Sequence, residues 1–358
     1  MAIRDFIEDV MYGRRRQAPL RCCLLFFSFL YGAAVRLRNA LYAVGLKRKK
    51  RLPVRVISVG NITLGGTGKT PAVIEIAELL ILNGGRPAVV SRGYGRRDES
   101  ELLVVSDGRD VHAGAVDAGD EPVLIASRVP RAVVVVGSDR YRAGLVATGS
   151  FGADTVILDD GFQHQRLRRD LNIVLIDSGL PFGNRSLLPA GILREPVSGL
   201  RRADAVLITG WDVRGDGLKA EIRSLTKAPI FTAQSEPLDI TDIKTGEARP
   251  LVALKGTKIF AFSGIARPER FGGLLRSLGA VLREEVSYPD HYRYTRQDLA
   301  DIFLKASDSK AVMIITTEKD AVRLRHLNPD GIWALRIRLK VREQEEWERM
   351  ILDRGQKA

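Results

Sequence analysis

The stretch VRVISVG (54–60) leads, across Asn61 and Ile62, into TLGGTGKT (63–70) and then into an apolar helical period from Pro71 to Leu82. A β-branched run, a glycine-rich turn and a helix in this order form a phosphate-binding loop. Gly65, Gly66 and Gly68 lack a Cβ, so the backbone N–H groups around Thr63, Leu64 and Thr67 can curl about phosphate oxygens, and the N-terminus of the helix adds a favourable dipole. Lys69 is placed to reach the β- and γ-phosphates of a nucleoside triphosphate, and the Thr70 hydroxyl to face Mg2+. The usual loop begins with Gly; here that position is Thr63.

Outward from the loop, near-continuous apolar runs recur at 87–93, 131–137, 155–160, 171–177 and 204–210, with helical periods between them. Strands of this kind are buried on both faces, which predicts an α/β fold of the P-loop NTPase type: a mostly parallel sheet with helices on both sides. Past Trp211 the chain becomes more polar, and a second, smaller α/β series follows, with strands at 258–264, 311–317 and 333–339 and helices near 268–279, 295–306 and 342–353. These shifts divide the chain into residues 1–51, a core domain at 52–228 and a C-terminal domain at 229–358. A length of 358 residues suits two domains with buried cores.

Ligands of open α/β sheets bind at the carboxyl edge of the strands, so the residues leaving each strand are the candidates for chemistry. Asp159 and Asp160 end the run at 155–160 and lead into GFQH (161–164); carboxylates there support the metal of a phosphate loop, although an Asp pair also makes a plain turn. GDEP (119–122) puts Asp120 and Glu121 at the start of a helical stretch, a pattern that an ordinary helix start with Pro in its first turn also produces. Arg92 in SRGYGRR (91–97) and Arg140 in GSDRYRAG (137–144) follow strands at the same edge, where they could grip phosphate or an acidic substrate, or face solvent.

The formal charge is +13, and it is concentrated: residues 1–51 hold 12 Lys/Arg against 3 Asp/Glu, the rest 44 against 40. These basic residues flank an apolar segment instead of covering a folded face, which argues against nucleic acid and for a membrane surface. Cys22 to Val35 (CCLLFFSFLYGAAV) is 14 residues without a charge, short of the ~20 needed to span a bilayer. Apolar character resumes at Ala40 to Leu46, and KRKKR (47–51) would be drawn to anionic cytoplasmic headgroups. Residues 18–46 therefore read as a helical membrane-surface anchor. A secretory signal and a plain packing helix fit the same run, but a nucleoside triphosphate places the chain in the cytosol. Cys22 and Cys23, adjacent and the only cysteines, offer neither a disulfide framework nor a metal set.

Together, VGNITLGGTGKTP, SRGYGRR, GDEP, DDGFQH, FSGIARPERF, YPDHYRYT and TTEKDAVRL, in this order behind an apolar helix, resemble the tetraacyldisaccharide 4′-kinase family of lipid A synthesis over nearly the whole chain. In that family the departure at the first loop position is ordinary. The resemblance implies two α/β domains with the active site between them. It also implies transfer of the ATP γ-phosphate to the 4′-hydroxyl of a tetraacylated glucosamine disaccharide 1-phosphate, at the cytoplasmic face of the inner membrane. A four-chain lipid stays in its bilayer at ~0.8 kcal/mol per buried CH2, so the enzyme must go to it. The partners would be the membrane-embedded glycolipid and an anionic membrane surface, with no nucleic acid and no obligate protein partner.

Chemistry and the resemblance together point to the following roles. Lys69 and the loop amides hold the phosphates of ATP; Thr70 and Asp159 bind Mg2+, with Asp160 close by. Asp120 is the base for the sugar hydroxyl, Glu121 assists the metal or the nucleotide, and His291 in PDHY (289–292) partners Asp120 across the domain cleft. Arg92 and Arg140 would grip the 1-phosphate or the transferring phosphoryl group. TEKD (317–320) reads as a capping box. His112 and His326 receive no role. The rival from another class is a membrane-associated switch ATPase of the deviant P-loop type, whose signature lysine precedes the two glycines; Leu64 stands there instead.

Overall fold

In the computed structural model the described residues are 11, 18–210 and 215–353. They form two compact units: unit 1 comprises Met1–Arg92, Asp139–Gln234 and Lys340–Ala358, and unit 2 comprises Gly93–Ser138 and Ser235–Leu339. The contiguous division expected at residue 228 is thus replaced by an interleaved one. The segment carrying GDEP belongs with the C-terminal series, and the chain end returns to unit 1. Composition gives no sign of this, because the strands of both units have the same β-branched apolar character.

The chain starts in unit 1 with α1 (Ala18–Ala43), β1 (Arg55–Asn61), α2 (Lys69–Leu82) and β2 (Pro87–Ser91). It enters unit 2 with β3 (Leu103–Asp107), α3 (Ala115–Ala118), α4 (Asp120–Arg128) and β4 (Val133–Val136). Back in unit 1 come α5 (Arg140–Gly149), β5 (Thr155–Asp159), β6 (Leu171–Asp177), β7 (Ala205–Thr209), α6 (Gly215–Leu225) and the first residues of β8 (Ile230–Asp242). Unit 2 continues with β9 (Ala248–Arg249), β10 (Lys258–Ser263), α7 (Pro268–Ser277), β11 (Val281–Ser287), α8 (Arg296–Asp308), β12 (Met313–Thr317), α9 (Glu318–Leu324) and most of β13 (Ile332–Val341). Unit 1 closes with α10 (Gln344–Leu352).

The sheet of unit 1 has the order β8-β7-β6-β1-β5-β2, with parallel pairing throughout. From β1 the chain first moves to one side, through α2 to β2, and later to the other, through β6 and β7; this reversal opens a crevice at the carboxyl end of β1. The phosphate loop lies there. Every residue of β2, β5, β6 and β7 is buried, as strands covered on both faces require. In unit 2, β11, β10, β12 and β13 run parallel in that order, and β3 and β4 form an antiparallel pair. The sequence did not suggest β11: VLREEVS carries three charges, and it forms an edge strand whose residues alternate between exposed and half-buried.

The N-terminal helix is longer than its uncharged stretch. α1 continues unbroken through Arg36 and Arg38 for 26 residues, ~39 Å at 1.5 Å per residue, so the segment Arg21–Ala43 is long and apolar enough to cross a membrane by length and composition. One narrow stripe of it packs on unit 1: Leu24, Ser28, Gly32 and Val35 are buried, at helical spacing. Ser28 donates to the Leu187 carbonyl at 2.9 Å and Tyr31 to the Arg194 carbonyl at 2.7 Å. Much of the remaining surface is exposed and apolar, with Phe26 60%, Phe29 68% and Leu37 63% exposed, and Arg21 and Arg36 are exposed with it.

Candidate active site

In unit 1 the loop after β1 is built by backbone geometry. Gly68 caps α2 in the left-handed region, φ 82°, and offers no side-chain cap, so the first N–H groups of the helix keep their donors for an anion. The loop is pinned at several points. Asn61 Nδ2 donates to Thr67 Oγ1 at 3.0 Å, Thr209 Oγ1 donates to the Thr67 carbonyl at 2.9 Å, and the Leu64 N–H donates to the Ile192 carbonyl at 2.8 Å. Gly65 and Gly66 are exposed, while Thr63, Thr67 and Thr70 are buried. The DDGFQH turn approaches closely: a Cβ on Gly60 would lie 2.7 Å from the Phe162 backbone nitrogen.

The two aspartates leaving β5 differ in setting. Asp159 is opposite Val59 in the register of β1, is 1% exposed, and accepts from Ser91 Oγ at 3.0 Å. Asp160 has φ 51° and faces cations: Arg194 Nη1 lies 2.9 and 2.7 Å from its two oxygens, and Lys69 Nζ 3.6 Å from Oδ1. Among the described residues no cluster of three or more His, Cys, Asp or Glu could hold a metal by itself. The Thr70 hydroxyl and the Asp159 carboxylate are hard oxygen donors, and α2 packs on β1 and β5. Such a sparse set suits Mg2+, which is commonly held by one or two side chains with phosphate oxygens and water. Arg92 is exposed; Arg140, the first residue of α5, is only 7% exposed. Burial foremost, then the charges of Arg140 and Arg169, push the His164 imidazole down to about 4.

In unit 2 the first residues of α4 meet α9 and the turn after β11. Nδ1 of His291 lies 3.0 Å from Oδ2 of Asp120, and Arg323 Nε donates to the same oxygen at 2.7 Å. Both partners of the expected Asp120–His291 pair therefore sit within one unit. Burial works to raise the Asp120 carboxyl, but the His291 hydrogen bond and the Arg323 charge outweigh it and hold the group below its ordinary value. His291 has φ 59°, in the sparsely used left-handed region. Glu121, expected beside the metal or nucleotide, forms an ion pair with Lys319 at 2.7 Å.

TEKD is a helix start, as read, but not a closed capping box. Thr317 accepts from the Asp320 N–H, while the Asp320 carboxylate is directed to the Gly264 N–H, Tyr294 and Arg323. Sequence reading missed Arg194, Asp320 and Arg323. The last two belong to the motif TTEKDAVRL, whose local pattern accounts for a cap and nothing more.

The tetraacyldisaccharide-1-P 4′-kinase family model matches residues 20–356. The chain is similar to a tetraacyldisaccharide 4′-kinase of Syntrophus aciditrophicus, 45% identical over 353 residues that cover 95% of this chain and 94% of the relative. A Geobacter metallireducens protein of the same name is 46% identical over 302 residues, 84% and 88% of the two chains. Among solved structures, LpxK of Aquifex aeolicus in complex with ATP superposes with a TM-score of 0.78 at 35% identity, covering 94% of this chain and 99% of that one.

Proposed function

The chain belongs to the tetraacyldisaccharide-1-P 4′-kinase family, and we propose that it moves the γ-phosphate of ATP to the 4′-hydroxyl of tetraacyldisaccharide 1-phosphate with the residues above in distinct roles. The new bond joins the 4′-oxygen to the γ-phosphorus, the bond to the β,γ-bridging oxygen breaks to leave ADP, and the hydroxyl proton passes to the Asp120 carboxylate. The observation that carries this assignment is the Asp120–His291 contact at 3.0 Å, in a chain that also has a complete phosphate loop. With the ring protonated at Nδ1, His291 donates to Asp120 and keeps the carboxylate oriented.

In unit 1, Lys69 and the N–H groups opening α2 bind the β- and γ-phosphates and stabilise charge that develops as the phosphoryl group moves. Lys69 exchanges its contact with Asp160 for the phosphates, and Arg194 keeps Asp160 neutralised meanwhile. Thr70 and Asp159 would hold a Mg2+ whose charge offsets that of the β- and γ-phosphates. Arg92, exposed at the carboxyl end of β2, is the better placed of the two arginines for an acidic group of the lipid.

A membrane-associated enzyme suits the family's lipid substrate. We assign the cytoplasmic face of the inner membrane: the bare side of α1, with Phe26, Phe29 and Leu37, lies in the interface and the KRKKR run meets anionic headgroups. The stripe of α1 that is packed on unit 1 favours lying on the bilayer over spanning it.

The test is phosphate transfer from γ-labelled ATP to purified tetraacyldisaccharide 1-phosphate in detergent micelles, wild type against Asp120→Ala. Labelled lipid from wild type alone is the expected result. Label released only as free phosphate would favour a switch ATPase.

A further inference from the structure

Asp120 uses one carboxylate oxygen for both of its partners. Nδ1 of His291 and Nε of Arg323 converge on Oδ2, and among the described residues no hydrogen bond is made to Oδ1. Arg323 enters from the far end of α9, and its side chain is 4% exposed. A second arm is fixed too: Nη1 donates to the Gly264 carbonyl at 2.7 Å and to Asp320 Oδ1 at 2.9 Å. Asp320 is wholly buried and accepts from the Gly264 N–H at 3.1 Å, the Tyr294 hydroxyl at 3.0 Å and the Thr317 hydroxyl at 2.6 Å. The Arg323 fork cannot turn without breaking several bonds at once.

Docking of the two helices does not require this tie. α4 and α9 carry complementary charges. Glu121 pairs with Lys319 and Arg128 with Glu318, each at 2.7 Å, and Arg325 Nη1 reaches Ser127 Oγ at 2.7 Å. A buried ion pair is in any case weak evidence for stability, because desolvation takes back much of the attraction. Its clearer effect is geometric: a planar, multiply anchored guanidinium leaves its partner one orientation.

We propose that Arg323, set in place by Asp320 and Tyr294, is a positioning residue for phosphoryl transfer: it holds Asp120 by Oδ2 and presents Oδ1 to the acceptor hydroxyl. The proposal rests on the reading of Asp120 as the base. Arg323 touches neither substrate nor reacting atoms; it acts through the orientation of the carboxylate. A base displaced by ~1 Å can cost ~100-fold in rate, which sets the scale of the effect.

The experiment compares full-length wild type, Arg323→Lys, Tyr294→Phe, Glu318→Gln and Asp120→Asn in detergent micelles, with ATP and tetraacyldisaccharide 1-phosphate. Arg323→Lys keeps the charge and loses the fork; kcat should fall about 10- to 100-fold while KM for ATP stays within about twofold. Tyr294→Phe removes one anchoring hydroxyl from Asp320 and should lower kcat about two- to fivefold, again without changing KM for ATP. Glu318→Gln breaks a tie at the opposite end of the same helix pair and should lower Tm while leaving kcat unchanged.

A folded Arg323→Lys with wild-type kcat overturns the proposal, as does an equal fall of kcat in Glu318→Gln. Should Arg323→Lys fail to fold, Tyr294→Phe decides, and an unchanged kcat there overturns it. Wild-type kcat in Asp120→Asn would instead remove the base assignment on which the proposal stands.

Discussion

The phosphate loop and the Asp120 cluster both hold charged groups still, by different means. The loop is one segment of eight residues in which backbone N–H groups, glycine torsions and a helix end make the site; its side-chain ties only steady it. The cluster has no such segment. Asp120, Gly264, His291, Tyr294, Asp320 and Arg323 come from stretches as much as 203 residues apart, and their side chains make the site by pairing with one another. A backbone-built site carries its information locally, whereas a side-chain-built site exists only once the fold has brought its members together.

The contrast predicts how each site fails. Asp120→Asn should lower kcat ~10²- to 10⁴-fold and leave the affinity for ATP untouched, checked by turnover against equilibrium nucleotide binding. A parallel loss of ATP affinity would mean that the two sites are not separable in function. Lys69→Ala should cost ~10²- to 10³-fold and weaken ATP binding as well, with circular dichroism unchanged. Arg194→Ala should raise KM for ATP ~10-fold, because Asp160 would lose its fixed charge-assisted bond and compete with the phosphates for Lys69. An unaltered KM would mean that the loop binds its phosphates without help from Arg194.

The smallest effect concerns the helix that carries the loop. Glu75, on the rear of α2, accepts from Trp347 Nε1 at 2.9 Å, and burial raises its carboxyl to about 7. The folded state therefore holds this proton more tightly than the unfolded chain does, so stability is lost as pH rises from the ordinary carboxyl range through about 7. Glu75→Gln should stabilise the protein by ~1–2 kcal/mol at pH 8 and by much less at pH 5, measured by denaturant unfolding at both values. An equal effect at the two pH values would assign the change to packing and leave the charge without influence.

Much of unit 1 could be read directly. Near-continuous apolar strands, a glycine-rich turn and an apolar helix each report on neighbours a few residues away, and so β1, α2, β5, β6 and β7 appear where their patterns lie. β11 could not be read this way, since its three charges are tolerated only at a sheet edge, and edge position is a property of the assembled sheet. TTEKDAVRL illustrates the limit within a motif. Its Thr317 start follows from local hydrogen bonding, but the direction of the Asp320 and Arg323 side chains depends on Gly264, Tyr294 and Asp120.

By itself the sequence determined the α/β class, the phosphate loop, the apolar, basic N-terminus and the identity of the acidic candidates, because each is a matter of periodicity, residue type or contiguous spacing. Tertiary structure alone decided that residues 93–138 join the C-terminal series, that Asp120 and His291 share one unit, and that Arg323 stands behind the carboxylate. The reason is physical: these arrangements depend on which side chains are buried together, and a buried charge is stable only beside partners that the chain brings from far away.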